Sequence, residues 1–362
     1  MELNIDKLQE YLSSVYDAPV TILDFLPLGK KEEDTEKVLK AFGYGIPYII
    51  EFGIGEKSEK VVLETMRFGE FGHEHFSDRA KILLWQHSSF NRLPRHVRSI
   101  DVGAFTTNNG LKSLGDCDEF FVVTQFVDGW LYHNDLDRIG QTGKLKKSDE
   151  KRCLALSDYL VGIHKTKHKE PGLYVKRVRE LIGNGECIMG LLDSYPSAIG
   201  LFDKSDFIDI EHECVVWRWR LKDWTDRLCQ VHGDFHPWNV LFHEDTDFTV
   251  LDRSRGEWGE AADDVAAMTI NFIFYSLRKY GRLAGVFERL FRKFWENYLK
   301  RTMDTKILDV IQPFYAWRGL VVASPIWYPN LRKNVRIKLL NFVRNVLQVD
   351  RFDLESVNSY IT

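Results

Sequence analysis

The sequence predicts an α+β protein of two lobes: a first lobe of mainly antiparallel sheet with one major helix, and a second that is mostly helical. Strand-like runs crowd the first third of the chain, and helical periodicity takes over after Gly129. The expected division is 1–129 and 130–362. A length of 362 residues supports it, because single cores rarely grow beyond roughly 250–300 residues. With 44% hydrophobic and 28% charged residues, the chain has the composition of a soluble globular protein.

In chain order, residues 5–16 place Leu8, Tyr11, Leu12 and Val15 at helical spacing. Strands are expected at 20–26, 44–53 and 60–66, the first ending at Leu28-Gly29, with the charged run 30–37 as a solvated loop. The GIGEKSE stretch between the second and third reads as a hairpin connection. A helix follows at 76–88, with Ser77 or Asp78 as its cap, and a strand pair at 101–106 and 119–126. Beyond Gly129 come helices at 148–164, 174–182 and 215–228, a strand-turn-strand island at 240–252, and helices at 263–279, 283–300 and near the C-terminus.

Composition excludes several classes. With 49 basic against 53 acidic residues, the broad positive footprint of nucleic-acid binders is absent. No stretch approaches the ~18 apolar residues of a membrane span, and MELNIDKLQEYL lacks the basic and apolar regions of a secretory signal. Five widely spaced cysteines without a C-x-x-C suit a reducing cytoplasm. The expectation is a cytoplasmic protein with no nucleic-acid or membrane partner.

The chemistry concentrates in VHGDFHPWNVLFHEDTDFTVLD, residues 231–252. Asp234 precedes Asn239 by five positions, and Asp252 follows Asn239 by thirteen, across a short two-stranded ribbon. A ribbon brings its ends together, so Asn239 and Asp252 should sit side by side as hard oxygen ligands apt for Mg²⁺. Asp234 is then placed to orient a hydroxyl proton, as phosphoryl transfer requires. A rival reading has His232, Asp234 and His236 alternate along a strand as zinc ligands, but it leaves Asn239 and Asp252 unexplained. His73-Glu74-His75 reads as a polar loop. GIGEKS at 53–58 and GYG at 43–45 lack the strand-loop-helix context of a phosphate loop.

The D-x4-N loop, hairpin and following Asp resemble the protein-kinase-like fold, and HGDFHPWNVLF resembles the aminoglycoside phosphotransferase and choline kinase family. LSDYLVGIH, QFVDG and DDVAAM resemble that family's helix before the catalytic loop, its hinge, and the helix start whose Asp, here Asp264, braces the loop. The resemblance implies a bilobal kinase-like fold. It also implies a kinase using ATP and Mg²⁺, Asp234 as catalytic residue and Asn239 and Asp252 on the metal. Adenine would lie against the backbone of Gln125 and Val127, with a small hydroxyl-bearing substrate as acceptor. The family's strand Lys and helix Glu are replaced here by Glu64 and Arg79. A charge-swapped Glu64–Arg79 pair is therefore expected, with Arg79 or Arg67 supplying positive charge to phosphate. Arg253 and Arg255 balance local acids or contact substrate, the former by default. The missing Lys and the lack of a glycine-rich lid after Gly29 keep open a pseudokinase that binds nucleotide without turnover. The lack of an A-P-E stretch argues against a protein kinase. Nine of ten tryptophans follow Gly129, in the lobe expected to select the acceptor, with Trp238 and Trp258 best placed to line a pocket.

Overall fold

A computed structural model describes residues 4–27, 45–69 and 72–362. The charged run 30–37, the Leu28-Gly29 strand end and most of GYG at 43–45 lie outside the described residues. The chain forms two compact units, Met1–Thr124 and Gln125–Thr362, and mixes helices with small antiparallel sheets, as an α+β chain should.

The first unit runs α1 (Ile5–Val15), β1 (Val20–Pro27), β2 (Gly45–Ile54), β3 (Lys57–Met66), α2 (Phe76–Phe90), β4 (Gly103–Phe105) and β5 (Leu111–Ser113). Strands β1, β2 and β3 form an antiparallel sheet in that order. Gly55, at φ +59°, makes the tight turn between β2 and β3 that the sequence expects. Alternation on the strands buries Ile50 and Phe52 against Leu8 and Leu12 of α1, with Val20 completing the core. The Asn4 side chain accepts the Lys7 amide at 3.1 Å and caps α1.

Three expectations in this unit need correction. Segment 119–126 forms no strand: Phe121, Val122 and Val123 are strongly exposed, because no described strand pairs with the segment. Only Gly103–Phe105 of the expected strand at 101–106 is regular. Helix α2 starts from His75, and Asp78 supports that start from the third helical position by accepting the His75 amide at 2.9 Å.

The second unit opens with β6 (Trp130–Leu131), α3 (Tyr132–Thr142), α4 (Lys147–His164), α5 (Pro171–Gly183), α6 (Ile188–Asp193) and α7 (Lys204–Leu221). Short strands follow, β7 (Cys229–Gln230), β8 (Val240–Phe242), β9 (Phe248–Val250) and β10 (Trp258–Gly259). It closes with α8 (Ala261–Tyr280), α9 (Gly285–Thr302), α10 (Gln312–Ala323), α11 (Lys333–Val346) and α12 (Val357–Ile361). Helix α8 is buried almost from end to end, and α4, α9, α10 and α11 pack round it in one continuous apolar core. Its start is fixed by a buried cluster: Arg227 donates to both oxygens of Glu260 at 2.8 and 2.7 Å, and Tyr174 donates to the same carboxylate at 2.9 Å. The helix expected at 215–228 is shifted to α7. Asp203 caps α7 by accepting the amides of Ser205 and Asp206, and after Leu221 the chain turns towards β7. No helix among the described residues is long and apolar enough to cross a membrane.

Candidate active site

Residues 231–252 are held at both ends by strands. β7, just upstream, pairs with β10, and β8 pairs with both β6 and β9. The Val231 amide donates to Glu257 O at 2.9 Å, and Arg253 donates to Val231 O at 2.7 and 3.1 Å, closing the base of the loop. Arg253 therefore serves the backbone.

The His232-Gly233-Asp234 turn is built round a buried carboxylate. Asp264, in the first turn of α8, accepts the His232 amide at 2.7 Å and the Gly233 amide at 2.8 Å. His164, the last residue of α4, brings Nε2 to the same carboxylate at 3.1 Å. A carboxylate only accepts, so Nε2 carries that proton and Tyr298 donates to Nδ1 at 2.8 Å. Burial pushes the Asp264 carboxyl up, but His164 and the loop amides outweigh it and hold the group below its usual range. Gly233 takes φ +85°, and a Cβ there would stand 3.3 Å from Cβ of Arg255. The turn thus needs glycine for its conformation and for the close passage of Arg255.

Asp234 is buried. Arg318, from α10, donates to its Oδ1 at 2.5 Å, to Gly233 O at 2.8 Å and to Asp263 at 2.6 and 3.1 Å. His236 Nε2 lies 3.5 Å from the other Asp234 oxygen, and Arg255 Nε lies 3.9 Å from Oδ1. Burial alone would raise the Asp234 pKa; Arg318, His236 and Arg255 reverse this and hold it well below the usual carboxylate range. Asp263, next to anionic Asp264, moves the other way: burial pushes it to about 6 despite Arg318. Two acids on the same arginine are thereby driven apart, and Asp234 keeps the charge.

Asn239 donates Nδ2 to the Asp234 carbonyl at 3.0 Å, which leaves Oδ1 for another partner. The Leu251 amide donates to Asn239 O at 2.9 Å, so Asp252 follows directly on the residue bonded to Asn239. Asp252 is exposed, and one of its oxygens accepts the Ser254 amide at 3.1 Å. Its φ of +53° is a left-handed conformation that a non-glycine residue adopts at a cost of about 1–3 kcal/mol. One amide oxygen and one solvent-facing carboxylate fit a hard divalent cation that takes its remaining ligands from water and phosphate.

The zinc reading fails on geometry. Residues 231–236 are not a strand: His232 Nδ1 accepts the Asp234 amide at 3.2 Å, and His236 Nδ1 accepts the Trp238 amide at 3.2 Å. No three His, Cys, Asp or Glu side chains converge on a metal position among the described residues, His73-Glu74-His75 included.

The remaining residues expected from sequence are Arg67 and Arg79 in the first unit and Gln125 and Val127 in the second. Gln125 is exposed and Val127 half-buried at the start of the second unit, while Arg67 is exposed beyond the end of β3. Arg79 donates to the carbonyls of His73 and Glu74 at 2.7 and 3.3 Å, and no hydrogen bond or ion pair joins it to Glu64. The expected charge swap is absent because the start of α2 offers the guanidinium nearer acceptors. Sequence reasoning also missed Arg318, Asp263 and Trp317. The available signal was an arginine inside PFYAWRGLVVA, a charge in an apolar helix that demands a buried partner. Trp238 stacks on the His133 ring at 5.1 Å, and Trp258 on His168 at 4.6 Å.

Residues 188–292 match the phosphotransferase enzyme family, APH, a span that contains the whole 231–252 segment and Asp264. No curated protein matches the chain. Among solved structures, an amicoumacin kinase with AMP-PNP and Ca²⁺ is 15% identical, with 90% of this chain and 92% of that one covered at a TM-score of 0.43. A Plasmodium vivax ethanolamine kinase is 14% identical over 96% of this chain and 81% of that one, with a TM-score of 0.37. A thermostable mutant of aminoglycoside phosphotransferase APH(4)-Ia is 13% identical over 96% and 98%, with a TM-score of 0.38.

Proposed function

We propose that this protein is a small-molecule kinase of kinase-like fold that transfers the γ-phosphoryl group of ATP to a hydroxyl. The observation that carries the reading is the buried anion at Asp234, on a turn braced by Asp264, with Asn239 and Asp252 alongside. Asn239 and Asp252 would hold Mg²⁺, which when bound neutralises phosphate charge. The acceptor oxygen forms a bond to the γ-phosphorus, and the bond from phosphorus to the bridging oxygen of ADP breaks. Asp234 accepts the hydroxyl's hydrogen bond and aims its oxygen. Because its pKa is held low, Asp234 is a weak base, so its main task is positioning, and the hydroxyl proton passes to its carboxylate late, as the new bond forms. Arg67, Arg79, Gln125 and Val127 keep their expected roles towards nucleotide in this proposal, as do the bounds 1–129 and 130–362 for the two lobes and a cytoplasmic location.

The test is ADP release with Mg-ATP and a panel of hydroxyl compounds, for wild type and Asp234→Asn. Turnover should fall about 10²- to 10⁴-fold in the variant, with its melting temperature near that of wild type. Retained turnover would sink the assignment. One observation favours the second reading, nucleotide binding without turnover: Arg79 already engages two backbone carbonyls. Mg-ATP thermal stabilisation without ADP release from any acceptor or from water would select it.

A further inference from the structure

Two arginines approach Asp234 in very different states. Arg318 is saturated, bonded to Asp234, Asp263 and Gly233 O. Arg255 is not. Its Nε is buried and makes no hydrogen bond. Among the described residues its one hydrogen bond is a long contact from Nη1 to Cys187 Sγ at 3.9 Å. Its ion pairs are loose too, 3.9 Å to Asp234 and 3.5 Å to Glu186, whose side chain is 74% exposed. A pair so exposed to water contributes little.

Yet the guanidinium is fixed in place. It lies 4.7 Å from the Trp317 ring centroid, the ring that also faces Arg318 at 3.7 Å. Its stem passes over Gly233, where a side chain would crowd it. A planar fork held by an aromatic ring, with a buried donor unsatisfied, is a receptor for an oxyanion.

Resting on the kinase reading, we propose that Arg255 binds an anionic group of the acceptor, which is therefore a hydroxy acid: a small molecule carrying its hydroxyl a few bonds from a carboxylate or phosphate. The hydroxyl meets Asp234 while the anionic group displaces Glu186 from the terminal nitrogens of Arg255, the partly exposed end of its guanidinium. The charges round Asp234 oppose the alternative. Arg318 and Arg255 face it, and Asp263 is already bound by Arg318. An ammonium group brought beside that carboxylate meets two fixed guanidinium charges within about 4 Å of it, and like charges that close repel.

The experiment measures ADP release with Mg-ATP and matched acceptors: glycerate and other hydroxy acids of two to four carbons, glycerol phosphate, glycerol, ethanolamine and an aminoglycoside. Turnover is expected with a hydroxy acid or the phosphate ester, and the contrast between glycerate and glycerol phosphate tells carboxylate from phosphate. Arg255→Gln should raise KM for that acceptor about 10- to 100-fold, leaving KM for ATP within about twofold, with Arg255→Lys in between. Turnover confined to glycerol, ethanolamine or the aminoglycoside overturns the proposal. So does a rise in KM for ATP in place of the acceptor's, which assigns Arg255 to nucleotide. Hydrolysis of ATP to ADP without transfer to any acceptor removes the hydroxy-acid assignment and leaves the kinase reading standing. Neither binding nor hydrolysis of Mg-ATP removes both.

Discussion

The charged side chains expected to act on substrate and nucleotide are held in opposite ways in the two units. In the second, Asp234, Asp264 and Arg318 are buried, and each is held by several named partners. In the first, Arg67 and Glu64 are exposed, and among the described residues Arg79 engages backbone carbonyls. The contrast separates a part whose electrostatics are fixed before any ligand arrives from one whose charges can rearrange. Fixed dipoles and charges need no reorganisation when charge shifts, so the buried part is where a charge-transferring reaction gains most.

The contrast breaks first at Asp264. Asp264→Ala strands the amides of His232 and Gly233 and the ring N–H of His164 without an acceptor. Removing one member of a buried charged cluster costs about 3–5 kcal/mol, so chemical denaturation should show a loss of that size and turnover should vanish. A loss under about 1 kcal/mol, the range of a surface pair, would end the claim that this unit is rigidly fixed.

Arg318→Met tests the electrostatics more finely. In the wild type the Asp234 pKa is depressed in the folded state. Its stabilising contribution is therefore present above the unfolded carboxylate pKa and is lost only as pH falls through the lower folded value. The acid limb of kcat/KM should accordingly lie below the ordinary carboxylate range. Without Arg318, the largest influence opposing burial is gone, His236 and Arg255 remain, and the limb should move to higher pH. An unmoved limb in the pH–rate profile would mean that Arg318 does not control Asp234.

The smallest effects belong to the first unit. Arg67→Gln, on the surface, should change stability by no more than about 0.5 kcal/mol, and Arg79→Gln, which loses hydrogen bonds to two backbone carbonyls, by about 1 kcal/mol. Their expected mark is a rise of a few-fold in KM for Mg-ATP. A large loss of stability in Arg79→Gln would show that its carbonyl contacts organise the start of α2.

Much of the site was legible because its parts are close in sequence. Asp234, Asn239 and Asp252 fall within nineteen residues, and a ribbon of three-residue strands connects the last two. Helix and strand periods located α1, β1, β3, α4 and α8 nearly to their ends. The failures share a cause: 119–126 has a strand's composition and no pairing partner among the described residues, and Glu64 and Arg79 have complementary charge while Arg79 has nearer acceptors. Propensity and charge are properties of a segment, whereas pairing is a property of its surroundings.

The sequence by itself determined the local frame: the glycine that lets the turn at Gly233 form, the carboxylate after it, and the oxygen pair at Asn239 and Asp252. Only the tertiary structure decided their electrical state. Arg318 arrives from 84 positions after Asp234, and His164 from 100 positions before Asp264. A carboxylate's charge depends on what lies within a few ångströms, and distance along the chain does not encode that.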